Sequence, residues 1–175
     1  MKSIALFALA TIGLCASSMV VAQTCSAPTT ISSNSSFSGN TCAATGNESG
    51  VATVCGNGNF TDKAAVFTWV KGDVNSAHTG AIVLTPTGTT PSYDIGAAVI
   101  RTTCASTGVC VGLTDSNQDG TSGESVDLTA TGFGPAGTYF LFVTSFGDGT
   151  TGATCGPFNG QAGILPVKLQ TFNID

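Results

Sequence analysis

The sequence predicts an all-β fold, an antiparallel β-sandwich or jelly roll of about eight strands that disulfides stabilise. Short apolar runs are separated by Gly, Asn, Asp and Pro, and several alternate with the two-residue period of a strand. No segment beyond residue 22 has the longer apolar period of a helix. Many short strands joined by turn residues are typical of sandwiches and jelly rolls.

Eight runs are predicted as strands. In chain order they are Val51–Val54, Ala65–Val70, Gly80–Leu84, Ile95–Thr103, Cys110–Leu113, Ser125–Ala130, Thr138–Ser145 and Ile164–Gln170. The run from Ala65 to Val70 alternates two aromatic residues, Phe67 and Trp69, with β-branched ones. Both faces of Tyr139–Val143 are apolar, which predicts a central strand. Pro166 predicts an edge position for the last run, because proline cannot donate to a strand ladder.

The N-terminus, residues 1–22, is predicted to be a signal peptide. Lys2 precedes an apolar run, Ile4–Leu14, that has the length of a signal-peptide core and is short for a membrane span. Val20 and Ala22 then occupy positions −3 and −1 of a cleavage site. We therefore expect a secreted or periplasmic protein that has no membrane association after cleavage.

The remaining chain, 23–175, is long enough for one domain that buries about two-thirds of its unfolded surface. Residues 23–40 are predicted to be a polar N-terminal arm, because Ser26–Asn40 consists mostly of Ser, Thr, Asn and Pro. Residues 41–175 are predicted to form the β-sandwich domain.

Charged residues are scarce in residues 23–175. Four Lys and Arg stand against ten Asp and Glu, which makes the net charge −6. So few basic side chains cannot neutralise many phosphates, which argues against nucleic acid as a partner. The same deficit argues against binding to anionic lipid. An acidic, polar surface suits an exported protein.

Six cysteines follow the signal peptide, an even number that predicts disulfides in an exported chain. They are Cys25, Cys42, Cys55, Cys104, Cys110 and Cys155. Fifteen pairings are possible for six cysteines. Short loops favour Cys104 with Cys110 across a hairpin and Cys42 with Cys55 across a polar loop, which leaves Cys25 with Cys155. A zinc site is the alternative, but no Cys-x-x-Cys motif is present.

Three segments carry a family resemblance. Asp62–Trp69 is an Asp followed by an alternating aromatic run, Glu124–Leu128 is a Glu-led strand, and Pro135–Val143 contains Ala-Gly-Thr-Tyr. With these segments, the chain from about Asn40 to Leu169 resembles the bacterial pre-peptidase C-terminal domain, a secreted β-sandwich often appended to exported proteases. It differs from that family in its middle strand, Ala97–Ile100, and in its six cysteines. The resemblance implies a stand-alone bacterial version of this sandwich.

An oxygen-rich loop predicts a calcium site. Asp115, Asn117 and Asp119 alternate in the loop, so their side chains can converge on one point, and Gly120 permits the tight turn. This pattern is the first half of a calcium-binding loop. The alternative is a polar turn that binds nothing, for which Asn, Asp and Gly are equally suitable.

The second half of that loop departs from an EF-hand. Val126 stands at the twelfth position, where an EF-hand has a bidentate Glu. Calcium binds six to eight oxygens, so further ligands are needed. Glu124 and Asp127 are the candidates, because carboxylates of a neighbouring strand can complete the shell.

Three further side chains are considered as site residues. His78 is the only histidine and lies in a polar stretch, so we expect it at the surface. Trp69 belongs to an alternating strand, which indicates core packing. Tyr93 follows a Pro-containing loop and is the candidate exposed aromatic for a ligand such as a sugar.

Two functions are compatible with these features. The first is a non-catalytic binding or interaction module with a protein or glycan partner and with calcium as its one candidate cofactor. The second is a small secreted hydrolase acting on carbohydrate, with a site built from scattered Asp and Glu residues and His78. The chain lacks the G-x-S-x-G, H-E-x-x-H and P-loop motifs, so we expect no enzymatic activity.

Overall fold

A computed structural model describes residues 23–44, 53–56, 63–72, 77–87, 93–114, 123–146 and 155–165 of the chain. These residues form nine strands in two sheets, which confirms the antiparallel β-sandwich. The predicted signal peptide, 1–22, lies outside the described residues and stays a prediction. Within the described part, no helix has the length and apolarity that crossing a membrane requires.

The nine strands are short, and they are numbered here in chain order. They are β1 (Thr29–Thr30), β2 (Ser36–Asn40), β3 (Ala65–Lys71), β4 (Ala81–Pro86), β5 (Asp94–Arg101), β6 (Val109–Thr114), β7 (Glu124–Asp127), β8 (Gly137–Phe146) and β9 (Pro157–Gln161). One sheet has the order β1-β3-β8-β5-β6 and the other β2-β9-β4-β7. All pairings are antiparallel except that of β1, which runs parallel to β3.

Six of the eight predicted runs correspond to strands β3 to β8. The prediction that Tyr139–Val143 is central is confirmed, because β8 lies between β3 and β5. The strand predicted at Val51–Val54 is wrong where it is described, since Thr53–Cys55 is a 3-10 turn. Of the last predicted run, Ile164 makes an isolated bridge to Thr79, and residues 166–170 lie outside the described residues.

The polar segment 23–40 contributes to both sheets. Its strand β1 lies at the edge of the five-stranded sheet, and β2 lies at the edge of the four-stranded sheet. The Gln23 carbonyl oxygen also accepts a hydrogen bond from the Val66 amide at 2.9 Å. Within the segment that was expected to be an extended arm, β1 and β2 therefore belong to the sandwich.

Strands β2 and β9 are joined by two reciprocal aromatic–glycine pairs. Phe37 lies opposite Gly160, and Gly39 lies opposite Phe158. A Cβ atom on Gly160 would stand 2.2 Å from the Phe37 ring, and one on Gly39 would stand 2.6 Å from the Phe158 ring. Each ring therefore occupies the space that the opposite glycine leaves, which is a known way of stabilising glycines near a sheet edge.

The main core lies between the sheets and is rich in aromatic rings. Phe67 packs against Phe37 and Phe158, with ring centroids 4.8 and 5.9 Å apart. Tyr139 stacks on Trp69 at 5.3 Å and on Phe133 at 5.8 Å. Such pairs contribute about 0.5–1.5 kcal/mol each beyond the burial of their area.

A second apolar cluster, here the outer cluster, covers the opposite face of the five-stranded sheet. Its buried members are Ala64, Val66, Ala98, Ile100 and Phe142, packed against Cys25, Val54, Cys55, Cys104 and Phe140. Of the packed residues, Cys25 comes from the N-terminal segment and Val54 and Cys55 from the 3-10 turn at Thr53–Cys55, whereas Cys104 follows β5 and Phe140 belongs to β8. This sheet is therefore closed on both faces over that area.

All six cysteines that follow residue 22 form disulfides, as predicted, but each of the three predicted pairs is wrong. The bonds join Cys25 to Cys104, Cys42 to Cys155 and Cys55 to Cys110. The prediction favoured short loops, whereas the sandwich brings distant segments together. Two of the bonds hold the covering segments of the outer cluster onto the five-stranded sheet, and the third joins the segment after β2 to the one before β9.

Candidate functional site

The outer face of the four-stranded sheet carries a groove of about 320 Å³. Strand alternation puts Asn159 and Gln161 outward, while Phe158 and Gly160 of the same strand are buried. The groove is lined by Ser36, Phe37, Val83, Thr85, Asn159, Gly160 and Gln161. Its residues therefore come from three neighbouring strands, β2, β9 and β4.

The polar side chains of the groove form two cross-strand rows. In one row Gln161 lies between Ser36 and Val83, and the Ser36 hydroxyl donates to Gln161 Oε1 at 2.7 Å. In the other, Asn159 faces Thr85 on one neighbouring strand. The Asn159 side chain is exposed and makes no hydrogen bond within the described part of the chain. Its amide therefore has both a donor and an acceptor to offer.

No charged residue is among those that line the groove. On the neighbouring strand β7, Glu124 is buried on the other face of the sheet, whereas Asp127 pairs with Ala81 and is exposed. Hydrogen bonds from the Thr129 hydroxyl and amide hold the pKa of Asp127 below its usual value. The groove is therefore lined by uncharged residues, and the Asp127 carboxylate lies outside it.

His78 is buried, which corrects the expectation of a surface residue. Only 5% of it is exposed, and it contacts Trp69, Phe133 and Tyr139 edge-on. Trp69 Nε1 donates to His78 Nε2 at 2.9 Å, and His78 Nδ1 lies 3.0 Å from the Phe133 carbonyl oxygen. Burial lowers the pKa of His78, and the charge of Lys71 lowers it further against the opposing effect of the Phe133 carbonyl.

The Phe133 carbonyl oxygen is the centre of a buried polar cluster. Besides His78, it accepts hydrogen bonds from Lys71 Nζ at 3.3 Å and from the Tyr139 hydroxyl at 3.2 Å. Lys71, which is 2% exposed, also donates to the Gly134 carbonyl. These donors satisfy the end of the 3-10 turn at Thr131–Phe133, so the cluster has a structural explanation.

Two aromatic predictions have opposite outcomes. Trp69 lies in the core with 2% exposure, as predicted. Tyr93 was expected at the surface as a ligand aromatic, and this is wrong, because it is also 2% exposed. Its hydroxyl donates to the Pro157 carbonyl at 3.2 Å, and its ring fills the space beside Gly156. Burial raises the pKa of Tyr93 well above its ordinary value.

The predicted calcium loop, with Asp115, Asn117 and Asp119, lies outside the described residues and stays a prediction. Glu124, the first residue of β7, is buried and accepts a hydrogen bond from the Thr114 hydroxyl. This bond joins the residue before the loop to the strand after it. Among the described residues, no three His, Cys, Asp or Glu side chains come together as a metal site.

Strand alternation separates the two other predicted calcium ligands. In β7, Glu124 and Val126 are buried while Ser125 and Asp127 are exposed. Glu124 and Asp127 therefore point to opposite faces of one strand. An ion bound by Glu124 cannot also be bound by Asp127 unless the backbone of β7 rearranges.

The groove residues of β2 and β9 were missed from the sequence. Both strands hold the same short pattern, Phe-x-Gly followed by an amide residue, at Phe37–Asn40 and at Phe158–Gln161. Aligned antiparallel, this pattern places each Phe opposite a Gly and the intervening Ser38 and Asn159 opposite each other. The repeated pattern is the signal that could have found the two strands.

No family model, curated protein or solved structure matches the chain significantly. The resemblance to the bacterial pre-peptidase C-terminal domain stays a prediction.

Proposed function

We propose that the protein is an exported, non-catalytic binding module that takes an uncharged glycan in the groove of its four-stranded sheet. The observation that carries the proposal is the lining of this groove, which combines hydroxyl and amide side chains with apolar ones and has no charged residue. Amides and hydroxyls both donate and accept hydrogen bonds, as the hydroxyl groups of a sugar do. Val83, which is 44% exposed, offers an apolar contact for the C–H face of a sugar ring.

The dimensions and order of the groove support the same ligand class. Its volume of about 320 Å³ is at the lower end of the range of ~300–1,000 Å³ common for small-molecule sites. Neighbouring strands are ~4.8 Å apart, so successive sugar units laid across β2, β9 and β4 meet a new polar side chain at each strand. The hydrogen bond from Ser36 to Gln161 orders one of these side chains before binding.

Export is supported by the three disulfides, which form and persist in oxidising compartments. The predicted signal peptide and the acidic composition agree with export. A secreted or periplasmic location and a sandwich similar to the pre-peptidase C-terminal domain are part of this proposal.

The absence of catalysis is supported by the state of two groups that the hydrolase alternative requires. His78 Nε2 already accepts a hydrogen bond from the Trp69 indole N–H, so its lone pair is engaged inside the core. Glu124 is 1% exposed and bonded to Thr114. A general acid or base must come within hydrogen-bond reach of a substrate, and burial keeps both side chains from that position.

The test is binding to an array of neutral oligosaccharides, followed by calorimetric titration of the best ligand. Asn159→Ala is expected to weaken binding by about tenfold, because one hydrogen bond contributes about 1–1.5 kcal/mol. Asn159 is exposed and unbonded, so this change leaves the core intact.

Ser125→Ala is the matched control, because Ser125 is exposed on the same sheet but does not line the groove. It is expected to bind the glycan as the wild type does. Silence of the whole array, or equal affinity of the wild type and Asn159→Ala, would remove the glycan from the proposed function. Release of shorter sugars during the titration would contradict a non-catalytic role.

A further inference from the structure

Arg101 is the only arginine of the chain, and it is poorly satisfied where it lies. It ends β5 and is partly buried, and its Nε atom is buried and has no hydrogen-bond partner within the part of the chain that the structure describes. A buried donor that makes no hydrogen bond destabilises the fold, because its lost hydration is not replaced. Structures keep few such groups, and a missing ligand is one explanation for those that persist.

The next residue is strained. Thr102 has a φ of 91°, in a region that a β-branched residue rarely adopts. Its amide donates to the Thr138 carbonyl at 2.9 Å, and the disulfide from Cys104 to Cys25 fixes the chain two residues later. Strained backbone of this kind concentrates at functional and ligand sites. Two independent irregularities therefore meet at adjacent residues.

The surroundings of Arg101 favour an anion. Gly137, the first residue of β8, lies beside the Arg101 side chain and pairs with Lys71 on its other side. Two of the four basic residues of 23–175 thus flank one glycine at this end of the sandwich. Asp94, the acidic residue of β5, lies at the opposite end of that strand. Lys71 is held by backbone carbonyls, which leaves Arg101 to contact a ligand.

We propose that Arg101 anchors a second binding site, separate from the groove, that takes a carboxylate. A guanidinium binds a carboxylate through two parallel N–H donors, one of which can be Nε. A chain with a net charge of −5 favours a single negative charge over a dianion such as phosphate. Binding requires the Arg101 side chain to rotate toward solvent, and Nε then gains the hydrogen bond that it lacks in the free protein.

The source of the carboxylate is either a small free acid or the C-terminus of a peptide. The experiment is an NMR titration of 15N-labelled protein, in which Arg101 supplies the single arginine Nε–H resonance. Acetate, phosphate, and a short neutral peptide with a free or an amidated C-terminus are added at equal ionic strength, with sodium chloride as reference. We expect acetate to shift this resonance saturably, whereas chloride and phosphate do not.

Tighter binding of the free peptide than of acetate, lost on amidation, identifies a peptide C-terminus, and equal binding of the two identifies a free acid. The Thr102 and Thr138 amides then report on the variants. Arg101→Lys keeps the charge but not the two-donor geometry and is expected to bind roughly tenfold more weakly. Arg101→Gln is expected not to bind. Equal shifts with chloride and acetate, saturation by phosphate with or without acetate, or unchanged affinity in Arg101→Lys would overturn the proposal. The wild-type titration decides the case if Arg101→Gln fails to fold.

Discussion

The indole nitrogen of Trp69 donates a hydrogen bond to Nε2 of His78 across 2.9 Å of the buried core. An indole N–H is only a donor, so Nε2 must be unprotonated. Nδ1 therefore carries the imidazole hydrogen and donates it to the Phe133 carbonyl oxygen at 3.0 Å. Both ring nitrogens are satisfied only in this neutral tautomer. A second proton would place two donors face to face between His78 and Trp69.

The first prediction is that stability falls as the pH drops below about 6.5, the ordinary pKa of histidine. Burial lowers the pKa of His78 in the folded state, so the unfolded chain binds the proton more readily. The stabilisation is complete above the unfolded pKa and is lost as the pH falls toward the folded value. The slope reaches at most about 1.4 kcal/mol per pH unit for one proton. Urea unfolding at a series of pH values measures it.

His78→Gln provides the control for that prediction. Glutamine does not titrate, so the variant should be less stable at neutral pH but should lack the slope between about pH 5 and 6.5. Carboxylates titrate mainly below this window, and His78 is the only histidine. If the slope persists in His78→Gln, the neutral-histidine account is wrong.

The second prediction concerns the aromatic–glycine pairs of the groove floor. Gly160→Ala would place a methyl group 2.2 Å from the Phe37 ring, so the ring must move out of its packing against Phe67. Overpacking of this kind costs about 1–3 kcal/mol. Chemical denaturation of Gly160→Ala against the wild type measures the loss.

A double-mutant cycle with Phe37→Leu tests the cause. If the clash with the ring is responsible, Gly160→Ala should cost less in the Phe37→Leu background, because contacting residues do not act additively. Equal costs in both backgrounds would assign the effect to backbone conformation and not to Phe37.

The strands that the sequence predicted and those it concealed differ in one physical respect. Strand β8 is apolar on both faces, because the main core and the outer cluster cover its two sides, so its residue types reveal it. Strands β2 and β9 have a polar outer face, and Gly39 and Gly160 stand where an inward side chain would be expected. Local composition therefore predicted a polar arm at β2 and no strand at β9, and only the partner ring across the sheet explains the glycines.

The predictions of the disulfide pairing and of an exposed His78 were wrong for a related reason. A cysteine pairing depends on which segments the closed sandwich brings together, and Cys42 and Cys155 are 113 residues apart. The burial of His78 depends on acceptors and donors from Trp69 and Phe133. Neither is encoded in neighbouring residues, so local pattern could not reveal them. The groove was missed because β2 and β9, two of the three strands that line it, were missed.

The third prediction concerns removal of the disulfide that joins the two cysteines farthest apart in sequence, Cys42 and Cys155. Replacing Cys42 and Cys155 by Ser should lower the free energy of unfolding by about 2–5 kcal/mol. Replacing Cys55 and Cys110, which are 55 residues apart, should cost about 0.6 kcal/mol less from chain entropy alone, because halving a loop changes the closure term by that amount. Denaturation of the two double variants gives the comparison.

Peptide mapping without reduction checks the pairing itself. We expect linked peptides that contain Cys25 with Cys104, Cys42 with Cys155 and Cys55 with Cys110. Detection of a short-range link, such as that between Cys104 and Cys110, would contradict the fold.

The fourth prediction concerns calcium and distinguishes the proposed ligands by face. Thr114 and Glu124 join the two ends of the loop 115–123 by a hydrogen bond, whereas Asp127 lies on the exposed face of β7 and binds Thr129. We expect calcium at a hundredfold excess over Kd to stabilise the folded state by about 2.7 kcal/mol, and therefore to raise the melting temperature over that in chelator. Asp119→Asn should remove most of this stabilisation, because it deletes a charged ligand. Asp127→Asn should retain it, because its side chain points away. Equal melting in calcium and chelator would remove calcium from the account, and equal losses in the two variants would show that β7 rearranges to bring Asp127 to the ion.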